Sequence, residues 1–301
     1  MSPKGRITIV TVTDNHYLIL LAALLKSIEI NHHSEEIIDM NIVGDHISDA
    51  NRNKFNSSFR NQSINIIWHD MKSIMSKSVK LPADKTSYPL NIYMRLFFSA
   101  FIGEEVKRVL YLDVDMIVLS EISTLYHTDL KSFPIGAVLD PKIKTFDNSW
   151  GGIKNYKELG LDGNAAYFNT GLLLIDIDEW KKNNTTQKVI DCIEKNKSYL
   201  NYPDQYGLNV VFADNWFHID PSWNTFAASA PDVLPNLIHF TERKPIYQSY
   251  TYSPEYQGIF FSFLKLTEWN DFKLIGENHR YLKKIDNVIK KWFSSKRSSR
   301  S

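Results

Sequence analysis

A strand-like run that passes at once into an apolar helical run opens the chain, and the same alternation returns downstream. "RITIVTVT" reads as a β-strand ending at Asp14, and "YLILLAALLKSIEIN" as the helix that follows it. "DMNIVGD" and "SINIIWHD" are two shorter strand patterns, with the polar "ISDANRNKFNSSFRN" between them as a helix. Strands that alternate with helices are connected by crossovers that lay helices on both faces of the sheet. The predicted fold class is therefore α/β with a mainly parallel, doubly wound sheet, whose ligands sit beyond the carboxyl ends of the strands. Further along, "PLNIYMRLFFSAFIG" predicts a buried helix, "IGAVLD" a strand ending in Asp140, and "YFNTGLLLIDID" another strand. No internal repeat is visible.

Composition narrows the setting. The chain has 301 residues, 43% of them hydrophobic, enough to fill the core of one large domain or two small ones. A single cysteine, Cys192, rules out an intramolecular disulfide and a cysteine-based zinc site, and a reducing, cytoplasmic setting is expected. No long apolar leader precedes the first strand, and the longest apolar block, Tyr17 to Leu25, is too short to cross a bilayer.

Net charge is +1, which hides an asymmetry. From Arg280 to Ser301 there are eight Lys or Arg and one acid, Asp286; that is +7 in 22 residues and leaves −6 for the other 279. In the same stretch Tyr281, Leu282, Ile285, Val288, Ile289, Trp292 and Phe293 recur at helical spacing, flanked by Lys283, Lys284, Lys290 and Lys291. A basic amphipathic helix of this kind suits an anionic membrane surface, and peripheral association with the inner face of the cell membrane is expected. The expected division is a domain over 1–246 and a C-terminal segment over 247–301. No nucleic-acid partner is expected.

The chemistry starts at "VLYLDVDMIVLS", residues 109–120, an apolar run that reads as a buried strand yet carries Asp113 and Asp115. In an extended chain both point to one side, with Val114 opposite. Two like charges beside a core are costly unless neutralised, and a divalent cation held by oxygen ligands neutralises them directly. A metal site is the expectation.

Six motifs now stand in order: "TVTDNHY", "YMRL", "LYLDVDMIV", "YFNTGLLLID", "YPDQYGLN" and "HFTERKP". Their order resembles that of the retaining glycosyltransferases of family 8, whose bacterial members include lipopolysaccharide galactosyl- and glucosyltransferases. The resemblance spans roughly residues 7 to 245. It implies a nucleotide-sugar-binding α/β domain of GT-A type and a UDP-galactose or UDP-glucose donor. It also implies manganese, or magnesium, as cofactor. The segment Val12, Thr13, Asp14 to Tyr17 would cradle the nucleotide, with Asp14 on the uracil side and Tyr17 against the base. Arg95 would face the sugar nucleotide or order the Asp113 and Asp115 carboxylates. The acidic pair with Val114 between them would meet the donor diphosphate through the cation, and His239 would complete the metal ligands. Lys244 would be the phosphate partner.

Asp140, Asn169, Asp204 and Gln205 would hold the donor sugar, with Gly171 allowing close backbone approach. Gln205 falls where a group near the β face of the sugar is expected, but an amide is a poor nucleophile, so front-face transfer is the expected course. The acceptor would be a saccharide or glycolipid, such as a growing lipopolysaccharide core.

The sequence departs from the family pattern in its last motif. A Gly, one more residue before the Lys, and a Trp after the Pro are expected there, and Glu242, Arg243 and Ile246 stand instead. Several residues have ordinary structural readings as well. Asp14 could cap the first helix, Arg95 could form an ion pair, and Asp204 could begin a helix after Pro203. Trp150 and Trp223 could stack on sugars or anchor packing. Three other functions stay open: a phosphatase with an aspartyl nucleophile, a nucleotide-sugar-binding protein without transfer activity, and a self-glycosylating initiator.

Overall fold

A computed structural model describes residues 5–60, 62–75, 88–229, 231 and 233–276. In chain order the elements are β1 (Arg6–Asp14), α1 (Leu18–Asn31), β2 (Ile37–Asp45), α2 (Asp49–Ser57), β3 (Ile64–Asp70), α3 (Met71–Met75), β4 (Arg108–Leu112) and β5 (Met116–Val118). There follow α4 (Ile122–Tyr126), β6 (Ile135–Leu139), β7 (Phe168–Asp176), α5 (Ile177–Lys182), α6 (Thr185–Lys195) and α7 (Pro203–Val211). The last are β8 (Phe217–His218), β9 (Thr225–Phe226), β10 (Leu237–His239) and α8 (Pro254–Leu264).

The main sheet runs β3-β2-β1-β4-β7-β6-β8, and a small sheet runs β5-β10-β9. All pairings in the main sheet are parallel except those of β7, which is antiparallel to both neighbours. The α/β class with a mainly parallel sheet is thus present. The strand order reverses between β1 and β4, so the crevice where ligands gather in such sheets lies beyond Asp14 and Leu112.

Strand alternation feeds two cores. Ile7 and Ile9, Ile38, Met40 and Ile42, Leu110 and Leu112, and Leu172 and Leu174 face one layer, closed by α1 and α8. Val10, Val43, Val109, Tyr111, Leu173 and Ile175 face the other, with residues of α5, α6 and α7. Helix α1 is buried from Leu18 to Ile28, apolar at every position there except Lys26 and Ser27. Ile246, Tyr247, Tyr250, Tyr256, Phe260 and Leu264 all join the first layer, so packing continues across residue 246. The expected basic helix beyond residue 279 lies outside the described residues. Among the described residues no helix is long and apolar enough to cross a membrane.

Two local readings change. The helix expected in "PLNIYMRLFFSAFIG" is instead a pair of 3-10 turns, Leu90–Leu96 and Phe98–Ala100. Tyr93 to Leu96 are buried in a row, and the Arg95 Nε donates to the Ile92 carbonyl (3.2 Å). The strand expected across "VLYLDVDMIVLS" is also broken: β4 stops at Leu112, the acids occupy a turn, and β5 enters the other sheet. Tertiary partners hold that corner. Ser27 Oγ accepts from the Val118 N–H (3.0 Å) and Asn31 Nδ2 donates to the Val118 carbonyl (3.0 Å), which ties β5 to α1.

Glu121, just after β5, clamps the same corner. Its carboxylate accepts from the backbone N–H groups of His33, Ser34 (3.1 Å) and Ser123 (3.1 Å) and from His32 Nδ1 (2.8 Å). Burial alone would raise its pKa, but the donated N–H groups of His33 and Ser123 and the His32 ring outweigh it and lower it to about 2. A carboxylate held low stabilises the fold above its unfolded value, about 4.3, and that stability drains as pH falls toward the folded value. Glu121→Gln is expected to cost on the order of 1 kcal/mol at neutral pH, because solvent still screens the group. Chemical denaturation should find the wild-type and variant curves converging between about pH 4 and pH 2.

Candidate active site

The turn between β4 and β5 carries Asp113, Val114 and Asp115 to the switch point of the sheet. It is fixed through its backbone on both sides: the Asp113 N–H donates to the Gly171 carbonyl (2.8 Å), and the Phe240 N–H donates to the Asp115 carbonyl (2.8 Å). Val114 packs its side chain against the first core layer, so the two acids face the site.

Asp113 is held from the sheet side. Its Oδ1 accepts from Tyr111 Oη (2.7 Å) and Arg95 Nη2 (2.9 Å). Tyr111 lies two residues back along β4, on the same face, and Arg95 also lies over its ring (4.6 Å to the centroid). The same guanidinium donates to the Thr170 carbonyl (2.6 Å) and pairs with Asp204 (3.0 Å). Burial opposes charge on Arg95, yet Asp113, Tyr111, Asp204 and Asp115 together outweigh it and the guanidinium is held firmly protonated. Arg95 thus orders one acid of the pair and bridges it to Asp204, where it also serves as the structural ion pair. Asp204, in the first turn of α7, is pushed up by burial, with Arg95 pulling the other way.

Asp113, Asp115 and His239 each offer one ligand atom, and these atoms lie within 4.8 Å of one another. The orientation of the His239 ring follows from a chain of hydrogen bonds that starts at an unambiguous donor. The Gly171 N–H donates to Asn169 Oδ1 (3.0 Å), so the Asn224 contact to that same oxygen (3.0 Å) must come from its NH2. Asn224 Oδ1 therefore faces His239 Nδ1 (2.7 Å) and accepts from it. With Nδ1 engaged by Asn224, the ring turns its Nε2 toward Asp115 Oδ1, 3.3 Å away. Fixing the ring through its other nitrogen is how metal-binding histidines are oriented. The residues fit a hard divalent cation with oxygen ligands and one imidazole.

Gly171 makes this approach possible. A Cβ there would lie 2.4 Å from His239 Cε1 and 3.0 Å from Asp113 Oδ2. Lys244 donates to the second oxygen of Asp115 and to the Phe240 carbonyl (2.6 Å). Burial would raise the Asp115 carboxyl, but Lys244 and His239 hold it far below the usual range.

The Asn224 link continues to the residues expected at the donor sugar. Asn169 Nδ2 contacts Asp140 Oδ2 (3.3 Å) and Gln205 Oε1 (3.2 Å), and Gln205 Oε1 also accepts from the Thr170 N–H (3.0 Å). All are buried. Asp140 turns the following loop as well, its Oδ1 accepting from the N–H groups of Lys142 (2.9 Å) and Ile143 (3.0 Å).

Asp14 stands at the far side of the crevice and holds the turn before α1, its Oδ1 accepting from the N–H groups of His16 (3.0 Å) and Tyr17 (2.8 Å), but it is not the helix cap, a position that falls to Tyr17. His16 Nε2 meets Tyr247 Oη at 2.8 Å. Burial, then Tyr247, pushes the Tyr17 phenol up. Val12 and Thr13 precede them at the end of β1, Val12 half-buried and Thr13 buried. Tyr111, Thr170 and Asn224 escape a reading of the sequence. Only Tyr111 leaves a signal, its place two residues before Asp113 on a strand. Trp223 is 8% exposed and belongs to the first core layer, so it anchors packing, whereas Trp150 is 63% exposed.

The chain matches the model of glycosyl transferase family 8 over residues 8–245, and it belongs to that family. It is 25% identical over 282 residues to general stress protein A of Bacillus subtilis (strain 168), with 87% of this chain and 94% of that one covered. With glycosyltransferase GlyF of Streptococcus pneumoniae it shares 26% identity over 261 residues, 82% of this chain but only 59% of that relative. Among solved structures it resembles the galactosyltransferase LgtC in complex with donor and acceptor sugar analogs, at TM-score 0.69 and 23% identity, covering 88% of this chain and 99% of that one. The bifunctional glycosyltransferase WbbM gives TM-score 0.73 at 17% identity, over 89% and 51%. These likenesses define a GT-A-like α/β fold. The protein is of the glycosyltransferase class, which sets the phosphatase reading aside.

Proposed function

We propose that this protein is a retaining transferase that moves galactose or glucose from a UDP-sugar to a saccharide of a surface glycan. The observation that carries the reading is the continuous hydrogen-bonded line from His239 through Asn224 and Asn169 to Asp140 and Gln205. It joins a cation-binding cluster, suited to a diphosphate, to a buried polar cluster suited to a sugar's hydroxyls. Bound at Asp113, Asp115 and His239, manganese or magnesium would neutralise charge on the leaving diphosphate.

In the transfer, the bond from sugar C1 to the diphosphate oxygen breaks and its electron pair stays with that oxygen. The acceptor hydroxyl forms the new bond at C1 from the same face, and its proton passes to the departing diphosphate. Gln205 supports this course over a covalent intermediate: its amide oxygen already accepts from the Thr170 N–H and lies against Asn169, and an amide is a poor nucleophile. Held there, it is suited to stabilise positive charge at C1. The test is a screen of UDP-sugars for cation-dependent hydrolysis, which needs no acceptor. Cleavage of UDP-galactose or UDP-glucose that chelation abolishes supports the reading. Tight UDP-sugar binding with no cleavage, alone or with acceptors, would favour a binding protein instead.

Lys244 is suited to meet the diphosphate because its ammonium already points to Asp115, whereas Arg243 lies over the Tyr247 ring (3.8 Å) and donates to Ser249 Oγ (2.5 Å). Lys244→Met is expected to weaken UDP binding about tenfold to a hundredfold, the worth of a charged hydrogen bond, and Arg243→Met to change it little. Titration calorimetry with UDP and cation reads both. Sensitivity at Arg243 rather than Lys244 would shift the register of this loop by one residue.

The cytoplasmic, membrane-peripheral site of action is part of the same proposal, and its support is the charge of the tail. Each Lys or Arg near an anionic surface contributes roughly 1 kcal/mol, so +7 is ample for reversible binding. Vesicles containing phosphatidylserine are expected to sediment the full chain at low salt and release it at high salt. Failure to bind at low salt would count against the membrane role.

A further inference from the structure

The loop after Asp140 holds Trp150 in water, and it is not a loose loop. The Trp150 N–H donates to Asn148 Oδ1 (3.0 Å), the Gly152 N–H to the Asn148 carbonyl (2.9 Å), and the Ile153 N–H to the Phe146 carbonyl (2.8 Å). Asn201 Nδ2 donates to the Trp150 carbonyl (3.3 Å), joining this loop to the approach to α7. The indole nevertheless remains 63% exposed. Beside it stands Tyr202 (6.2 Å between centroids, 54° between planes), and beside that Tyr88 (5.9 Å, 52°), itself 36% exposed. Single exposed aromatic residues are ordinary; three in a row, with the Trp150 loop pinned, form a built surface.

Its position in the fold narrows its use. Tyr202 immediately precedes Pro203, Asp204 and Gln205, and the Trp150 loop springs from the turn that Asp140 makes with the N–H groups of Lys142 and Ile143. Trp150 and Tyr202 are therefore anchored to the residues assigned to the donor sugar, not to Asp14 and Tyr17 at the nucleotide end. The Tyr202 phenol, raised by burial and then by Asp140, reflects the same nearness. We propose that Trp150, Tyr202 and Tyr88 form the platform on which a pyranose ring of the acceptor stacks. A pyranose has an apolar C–H face for the rings and a rim of hydroxyls for neighbouring groups such as the two phenols and the Asn148 and Asn201 amides. Rings inclined to one another by 54° and 52° suit a puckered sugar better than a flat base, and the amides set the row apart from a lipid-facing patch.

The proposal rests on the transferase reading for the identity of its occupant, and the experiment separates the two. Full-length protein is labelled with fluorotryptophan, and the Trp150 resonance is identified by its loss in Trp150→Phe. A panel of mono- and disaccharides, including lactose, maltose and cellobiose, is then titrated against it. Addition of at least one saccharide is expected to shift the Trp150 resonance. That saccharide should also accelerate release of UDP from the donor. With it, Trp150→Ala should raise the half-saturating acceptor concentration about tenfold or more, with a matching fall in the share of cleaved donor that reaches sugar rather than water. Trp150→Phe, which keeps a ring, should recover most of the loss. No resonance shift with any saccharide, or a half-saturation in Trp150→Ala within twofold of wild type, would overturn the platform. Absence of donor cleavage would instead defeat the transferase reading while leaving the resonance titration to decide whether sugars stack here.

Discussion

Asp115→Asn is expected to abolish most turnover while leaving the fold intact. The backbone of residue 115 keeps its hydrogen bond from Phe240, and the side chain contributes no apolar packing, so nothing in the turn needs it for shape. Its charge is another matter. One carboxylate oxygen faces His239 Nε2 at 3.3 Å and the other accepts from Lys244. An amide of the same size must present either an NH2 to Lys244, repelling it, or an NH2 to His239, capping the nitrogen that a cation needs. Removing one preorganised electrostatic stabiliser from a closed site costs on the order of 10² to 10³ in rate. Excess cation should not restore the wild-type rate, because the lost ligand charge also served to hold Lys244 in place. Initial-rate measurements of donor hydrolysis across a cation titration, with circular dichroism on the same samples, give the answer. Near-normal activity in this variant would remove the metal reading of the acidic pair.

Arg95→Met should strike stability and activity together. Arg95 is 7% exposed and stands between Asp113 and Asp204, so its removal leaves two carboxylates in a buried crevice with no positive partner at that point. Breaking a buried ion pair from one side costs about 3 to 5 kcal/mol. The cost should depend on pH with a defined sign. Asp204 already has its carboxyl pushed up, by burial first, and without Arg95 it rises further. A carboxyl whose folded value lies above its unfolded one favours the fold only at low pH, and that contribution is lost as pH rises through the folded value. The gap between variant and wild type should therefore be wider at pH 7 than in the carboxylate range. Arg95→Lys keeps the charge but not the planar fork that reaches Asp113, Asp204 and the Thr170 carbonyl together, and should fall between the two. Equilibrium denaturation at two pH values tests the stability, and hydrolysis rates test the loss of Asp113 positioning. An Arg95→Met protein as stable as wild type would mean the two acids are neutralised by other means.

How much of this was legible beforehand differs by residue. Asp113 and Asp115 announced themselves because charge inside an apolar run is costly wherever the run folds, and the order of motifs around them pointed to His239. The strand expected around them was wrong in one respect: β4 and β5 belong to different sheets, and a turn brings the acids together. An apolar run looks the same whether it stays in one sheet or crosses to another, since both alternatives bury it. The 3-10 turns around Arg95 were hidden for a similar reason, because a run of mostly apolar and aromatic residues fits any buried backbone.

The alternation of strand and helix, the mostly apolar α1 and the two-residue spacing of the acids are local properties, set by periodicity and by the cost of burying charge, and the sequence determined them alone. Asn224 lies 55 residues from Asn169 and 15 from His239, yet it fixes which nitrogen of the imidazole faces Asp115. Trp150 and Trp223 sit in equally plausible surroundings in the sequence, and only packing separated the exposed ring from the buried one. Hydrogen-bond partners and solvent exposure depend on which distant segments share a volume. That is decided when the crossovers close, so the tertiary structure had to supply the orientation of the His239 ring, the bridging arginine and the aromatic row.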